Sequence, residues 1–412
     1  MARSLRISRS CTRRYRLRPD EDLRPGLRAY VLSDSTLIAA PMVTARDWGP
    51  VPVREAIPDI RGRRPSPRVQ LTEWLLPAGR HYITVAGPHS RPAGEFVELR
   101  LRTTPRPVEQ PLMAFTLFSD THLSTGRSPW MNVIMYEPSV AALRDELQSL
   151  QASGADFAII AGDMTNSGTA ADFELLAGVL NDVDLPVYGC IGNHDSYLES
   201  SRPDALRLVP ELFPRGELNY VLERGSLRFI VLDASYWRTR DGSILDHIIR
   251  DDWVAIGLPE GQMQWLRETL AADTQTPTIV VWHYGFHDRL TASSCGHLMR
   301  GSTCADSAEA LDAIEQAPNV IATLCGHSHW NQVNVVEGIT HVQNPGFAEW
   351  PNAYRVFRVY RDRIEWELRQ VANRGLIREA FTPEKAQSWM ISTGPGDLTG
   401  TVPLTRVLPK RR

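Results

Sequence analysis

The sequence predicts an α/β layered domain preceded by a smaller all-β segment, and three observations carry that reading. From residue 112 onward, short apolar runs alternate with helical stripes, the grammar of strands layered with helices. Before residue 105 only β-rich runs appear, broken by Pro and Gly turns. At 412 residues the chain also exceeds one small domain, for which about 150 residues is the usual measure.

Residues 1–26 carry Arg3, Arg6, Arg9, Arg13, Arg14, Arg16 and Arg18 but no apolar core of a secretory signal, and no hydrophobic stretch follows Arg13-Arg14 as in a twin-arginine signal. They read as a basic, flexible arm in preference to an organelle transit peptide. Residues 27–104 contain "RAYVLSD", "TLIAAPMV", "WLLPAGRHYITVAG" and "GEFVELRLRT", which predict a small all-β accessory domain of sandwich type. "PRPVEQP" at 105–111 is a linker.

The α/β domain is expected over 112–380. It opens with the strand "MAFTLFSD", a helix striped by Val140, Leu143, Leu147 and Leu150, the strand "DFAIIAGD", a helix with Phe173, Leu176 and Leu180, and the strand "PVYGCIGNHD". A hairpin, "YVLERGSLRFIVLD", turns at Arg224-Gly225. A helix with Met263, Leu266 and Leu270, the strand "TPTIVVWH", a helix around Leu311 and Ile314, and the strand leading into "LCGHSHW" follow. "QVNVVEG", "THVQNPG" and "YRVFRVYRDRIEWELRQV" are expected to close a sheet, and 381–412 to form an irregular tail rich in Pro, Gly and Thr.

Hydrophobic residues at 42% and charged ones at 23% exclude a disordered or fibrous chain. A net charge of -3 offers no global attraction to nucleic acid or anionic membrane, and the α/β domain carries no clear basic stripe. No apolar run reaches the roughly 18 residues of a membrane span. Five cysteines form an odd, sparse set that argues against a disulfide scaffold and for a reducing, cytoplasmic setting. Cys295 and Cys304 are read as two unpaired loop thiols. The oligomeric state does not follow from sequence.

The polar residues gather where the apolar strands end: "SDTHL" (Asp120, His122), "AGDMTNSG" (Asp163), "GNHD" (Asn193, His194, Asp195), "VVWH" (His283) and "CGHSH" (His327, His329). Carboxyl ends of strands in α/β sheets are where ligands bind, because loops converge there on a crevice. Singly, each has a plain explanation. Asp163 after Gly162 fits a helix cap, Asn193 a turn, His283 a satisfied core histidine, and the His327/His329 pair two polar residues at a strand end. Jointly these would need independent accidents at equivalent places. Imidazoles, carboxylates and an amide oxygen without thiolate suit Mn, Fe or Zn. Asp120, His122, Asp163, Asn193, His283, His327 and His329 are too many donors for one tetrahedral ion. They divide between two if one carboxylate bridges, the clamp used for in-line attack at phosphorus.

In this order, D-x-H, G-D, G-N-H-D, H and G-H-x-H resemble the motif set of the calcineurin-like metallophosphoesterases, over about Pro111 to Val359. The resemblance implies an αββα sandwich, two facing β-sheets flanked by helices, with a dinuclear centre at one rim. It implies that Asp120, His122 and His329 bind a first metal and Asn193, His283 and His327 a second, bridged by Asp163. A metal-bridging hydroxide would be the nucleophile. His194 would protonate the leaving oxygen, oriented by Asp195. No phosphate-binding Arg follows the second motif as in protein Ser/Thr phosphatases, and Asn166 stands where purple acid phosphatases carry a metal-binding Tyr. The wording looks most like the cyclic-nucleotide and general phosphodiesterase branch.

The expected function is therefore hydrolysis of a small or nucleotide-like phosphodiester. The alternatives are a phosphomonoesterase, a nuclease, for which no positive track is evident, and a metal-binding interaction module without catalysis. His287, His297, Tyr284 and Trp330 are candidates for substrate contact, against solvated loop histidines and aromatic pocket walls.

Overall fold

The computed structural model describes residues 28–33, 79–86, 97–101, 109–125, 136–249, 251–286, 304, 306–380, 392–393 and 397–406. The basic arm, Cys295, His287 and His297 lie outside them. Strands β1 (Arg28–Ser33), β2 (Gly79–Ala86) and β3 (Val97–Leu101) pair antiparallel in the order β1-β2-β3, within the segment expected to be all-β.

The α/β domain runs β4 (Met113–Phe118), α1 (Tyr136–Ala152), β5 (Phe157–Ala161), α2 (Ala170–Leu180), β6 (Val187–Cys190), α3 (Ser201–Leu208), β7 (Tyr220–Arg224) and β8 (Leu227–Val231). Three short strands, β9 (Tyr236–Thr239), β10 (Ile244–Leu245) and β11 (Trp253–Gly257), precede α4 (Glu260–Ala272), β12 (Thr278–Val281), α5 (Ser307–Gln316) and β13 (Val320–Cys325). The chain continues through β14 (Gln332–Val336), β15 (Ile339–Gln343), β16 (Ala353–Val359), β17 (Arg363–Gln370), α6 (Arg374–Ala380) and β18 (Thr399–Pro403).

Two six-stranded sheets result, β18-β17-β16-β4-β5-β6 and β14-β15-β13-β12-β8-β7. Their inner strands read as continuous apolar runs because both faces are covered: every residue of "FAIIA" in β5, "TIVV" in β12 and "VIATLC" in β13 is buried. Phe115 joins the layers. It stacks between Phe157 and Phe357 of its own sheet and meets Phe229 of the facing sheet edge-on, with centroids 5.3 Å apart.

Helices cover the outer faces as the sequence stripes require. Leu143, Leu147 and Leu150 of α1 and Phe173, Leu176 and Leu180 of α2 are buried, and Thr169 caps α2 by accepting the Asp172 N–H. Met263, Leu266 and Leu270 of α4 pack with Leu311 and Ile314 of α5 in a second cluster. The expected αββα arrangement is thus present.

Three details differ from expectation. The last predicted strands do not close a single sheet: β14 and β15 extend the β13 sheet, whereas β16 and β17 cross to the other and pair with β4, Phe357 opposite Phe115. The tail expected to be irregular contributes β18, which pairs with β17. Strands β9 to β11 form a small third sheet that was not anticipated.

The parallel strands place the chemistry. β4, β5 and β6 run parallel in one sheet, and β8, β12, β13 and β15 in the other. The carboxyl ends of β4, β5, β6, β12 and β13 deliver the five motifs.

Candidate metal centre

The loops after β4 and β13 use the same device. Asp120 and His122 follow Phe118 by two and four residues, as His327 and His329 follow Cys325, and all four have left-handed backbones with φ of 53°, 44°, 72° and 58°. Asp163, two residues past Ala161, adopts φ 49°. Non-glycine residues avoid this region at a cost of about 1–3 kcal/mol each, and such strain concentrates where a site demands it. The positive φ at this strand end falls on His327 and His329 and not on Gly326. Its role is close approach, since a β-carbon there would lie 2.5 Å from Asp120 Oδ2.

The seven predicted ligands converge. His329 Nε2 lies 3.3 Å from Asp120 Oδ1 and 3.1 Å from His122 Nε2. His283 Nε2 lies 3.1 Å from Asp163 Oδ2, and His327 Nδ1 is 3.3 Å from His283 Nε2 and 3.0 Å from Asn193 Oδ1. Asp163 Oδ2 faces both groups, 3.8 Å from His122 Nε2. The donors of Asp120, His122 and His329 lie within 4.8 Å of one another, as do those of Asp163, His283 and His327. Imidazole nitrogens, carboxylate oxygens and an amide oxygen are here packed against one another in a largely buried space. The donor set therefore fits metal ions.

Electrostatics agree. Burial pulls His283 down, but the Asp163 carboxylate overrides it and raises the ring to about 9. Burial likewise opposes a charged His329, yet Glu349 and Asp120 hold it well above the usual histidine range. Burial, with His283 adding to it, holds His327 at about 3, so its lone pair is available. Burial would raise Asp163, but His283 and His194 hold it well below the carboxylate range. Two fully buried carboxylates thus draw positive charge into the site, a demand that protons or metal ions can meet.

His194 sits at the edge of this cluster, a ring nitrogen within 4.8 Å of the donors of His122 and Asp163. Its Nδ1 lies 2.7 Å from the carbonyl oxygen of Asn166, which orients the ring. That corrects the role given to Asp195. The Asp195 carboxylate instead accepts the N–H groups of Met164, Thr165 and Gly192 and the Thr165 hydroxyl, clamping the GNHD turn to the loop after β5.

Tyr284 is fully buried, its hydroxyl 3.0 Å from Ser235 Oγ and its ring edge-on to His283 and His327. It walls the site. Trp330 is half-buried beside His329. The aromatic ring against His194 is Tyr197, tilted with centroids 4.8 Å apart, a neighbour the sequence did not single out. Glu349, 2.7 Å from His329 Nδ1, also escaped notice, since it lies far along the chain in no motif. Cys304 is a thiol outside any disulfide, as expected, but it is buried, with its backbone in an isolated parallel β-bridge to Ile256.

Known proteins match this arrangement. The profile of the calcineurin-like phosphoesterases matches residues 113–331. The chain is 24% identical over 221 residues to the glycerophosphodiester phosphodiesterase GpdQ of Enterobacter lignolyticus, covering 53% of this chain and 71% of that protein. It is 25% identical over 211 residues to a 3',5'-cyclic-nucleotide phosphodiesterase of Nostoc sp., covering 51% and 69%. A dimetal phosphatase from Danio rerio shares the fold with a TM-score of 0.51 at 18% identity, over 63% of this chain and 97% of that one. With more than half its length matched and the motif residues gathered at one rim, the chain belongs to the calcineurin-like phosphoesterase family, hydrolases that act on phosphoric esters.

Proposed function

We propose that the protein is a dinuclear-metal phosphodiesterase acting on a small or nucleotide-like diester. Asp120, His122 and His329 would hold one ion, Asn193, His283 and His327 the other, and Asp163 would lie between them. When bound, two ions of Mn, Fe or Zn type supply Lewis acidity and an activated water.

The observation that carries the reading is the setting of His194. With Nδ1 engaged by the Asn166 carbonyl and the ring beside His122 and Asp163, we assign proton transfer to Nε2. In hydrolysis the water oxygen forms a new bond to phosphorus, the bond to the leaving oxygen breaks, and His194 passes that oxygen a proton. Arg202, the next arginine along the chain after the GNHD motif, is held in a bidentate pair with buried Asp233. The relatives' names, glycerophosphodiester and cyclic-nucleotide phosphodiesterase, point to a diester.

We also place the enzyme in the cytoplasm, on its cysteine usage; Cys190 and Cys325 are buried thiols. Among the described residues no helix is long and apolar enough to cross a membrane.

The test is hydrolysis of bis-p-nitrophenyl phosphate against p-nitrophenyl phosphate by Mn-reconstituted protein. The diester should lead by at least about tenfold in kcat/KM, or about 1.4 kcal/mol, and chelation should abolish both activities. Preference for the monoester would overturn the diesterase reading.

A further inference from the structure

We infer that Glu349 is a positioning residue for His329, holding the ring so that Nε2 is presented to the first metal. This rests on the ligand role proposed above for His329. The Glu349 side chain is 2% exposed, and Oε1 lies 2.7 Å from His329 Nδ1. On the opposite side of the ring, Nε2 faces Asp120 and His122. An acceptor at Nδ1 keeps the ring proton there and leaves the Nε2 lone pair pointing into the site. A carboxylate acceptor also makes the imidazole a stronger donor. His283 obtains its orientation from a neutral group, the Ala161 carbonyl oxygen at 2.8 Å. Of His283 and His329, it is thus His329 that is backed by a full charge.

The fold holds Glu349 in register. It lies on the crossover between β15 and β16, where the Phe347 and Ala348 N–H groups donate to the carbonyl oxygens of Ser119 and Asp120 at 3.0 and 3.2 Å. The Asn352 side chain donates to the Phe347 carbonyl at 3.0 Å. The crossover is therefore fastened to the same strand end that supplies Asp120. Gly346 adds closeness, since a β-carbon there would stand 2.9 Å from the His329 ring. A carboxylate and the histidine it orients are both indexed to one loop.

The test is Mn binding to the metal-free full chain, by elemental analysis and by competition with a chelating dye, for the parent protein, Glu349→Gln and Glu349→Leu. The parent should bind two ions. Glu349→Gln, the same shape without the charge, should weaken one ion by about tenfold and spare the other; Glu349→Leu should weaken it by about a hundredfold. Thermal unfolding in the absence of metal separates loss of ligand strength from loss of fold. If Gln matches the parent, the carboxylate only fills space and the inference fails. Equal weakening of both ions also overturns it. A parent protein that binds fewer than two ions would instead overturn the dinuclear reading on which it rests.

Discussion

Gly192 packs so closely on Asp163 that a β-carbon at position 192 would stand 2.2 Å from Oδ1, the oxygen that also accepts the His194 N–H at 2.8 Å. The GNHD turn and the proposed bridging carboxylate are thus seated against each other with no slack. Gly192→Ala should displace Asp163 and lower kcat/KM on bis-p-nitrophenyl phosphate by about a hundredfold, the scale of a 1 Å misplacement. Parent-like turnover would show that Asp163 need not stay where it is.

His194→Ala should retain both ions yet lose turnover by about 10²- to 10⁴-fold on an alkyl phosphodiester, whose leaving oxygen needs a proton. The loss should be much smaller on an aryl diester, because p-nitrophenolate departs unprotonated. Comparing the two substrates checks the role. An equal loss on both would assign His194 to binding instead.

Asp195→Ala should act on stability as well as rate. It strips the acceptor from three buried N–H groups and a hydroxyl, and stranded buried donors cost about 1–3 kcal/mol each before relaxation. A loss of about 3 kcal/mol in urea unfolding is expected. A change below about 0.5 kcal/mol would contradict the clamp.

Asp273 offers a pH signature away from the site. The Thr276 hydroxyl and the N–H groups of Thr276 and Gln275 hold its carboxyl down at about 2, against an ordinary 3.8. The folded value is depressed, so this stabilisation is complete above about pH 4 and is lost as pH falls through 2. The group is solvated, so its worth is discounted to about 1 kcal/mol. Asp273→Asn should therefore be less stable than the parent at pH 6, with the gap shrinking by pH 3. A gap that stays constant would contradict the shift.

The motifs were legible because hydrophobic runs and polar strand ends are local patterns, and each motif lies within a few residues of the strand that carries it. His122 and His329, or Asp163 and His283, meet only through sheet order, yet the repeated strand-end placement already implied a common rim. Pairing partners were less legible. Nothing in "YRVFRV" distinguishes a strand beside β4 from one beside β14, because an apolar strand fits either sheet and the crossover at 344–352 decides. Tyr284 adjoins His283 in sequence, but that its hydroxyl meets Ser235 follows only from the fold. Glu349 and the Asn166 carbonyl left no trace: one is an ordinary glutamate far from any motif, the other is backbone. The left-handed conformations of Asp120, His122, Asp163, His327 and His329 were equally hidden, since they run against the residues' own preference.

Anomalous diffraction from crystals of the Mn-loaded protein bears most directly on the dinuclear centre. Two peaks about 3.5 to 4 Å apart are expected, one among Asp120, His122 and His329, the other among Asn193, His283 and His327, with Asp163 between them. A single peak, or two peaks on the same side of Asp163, would contradict it.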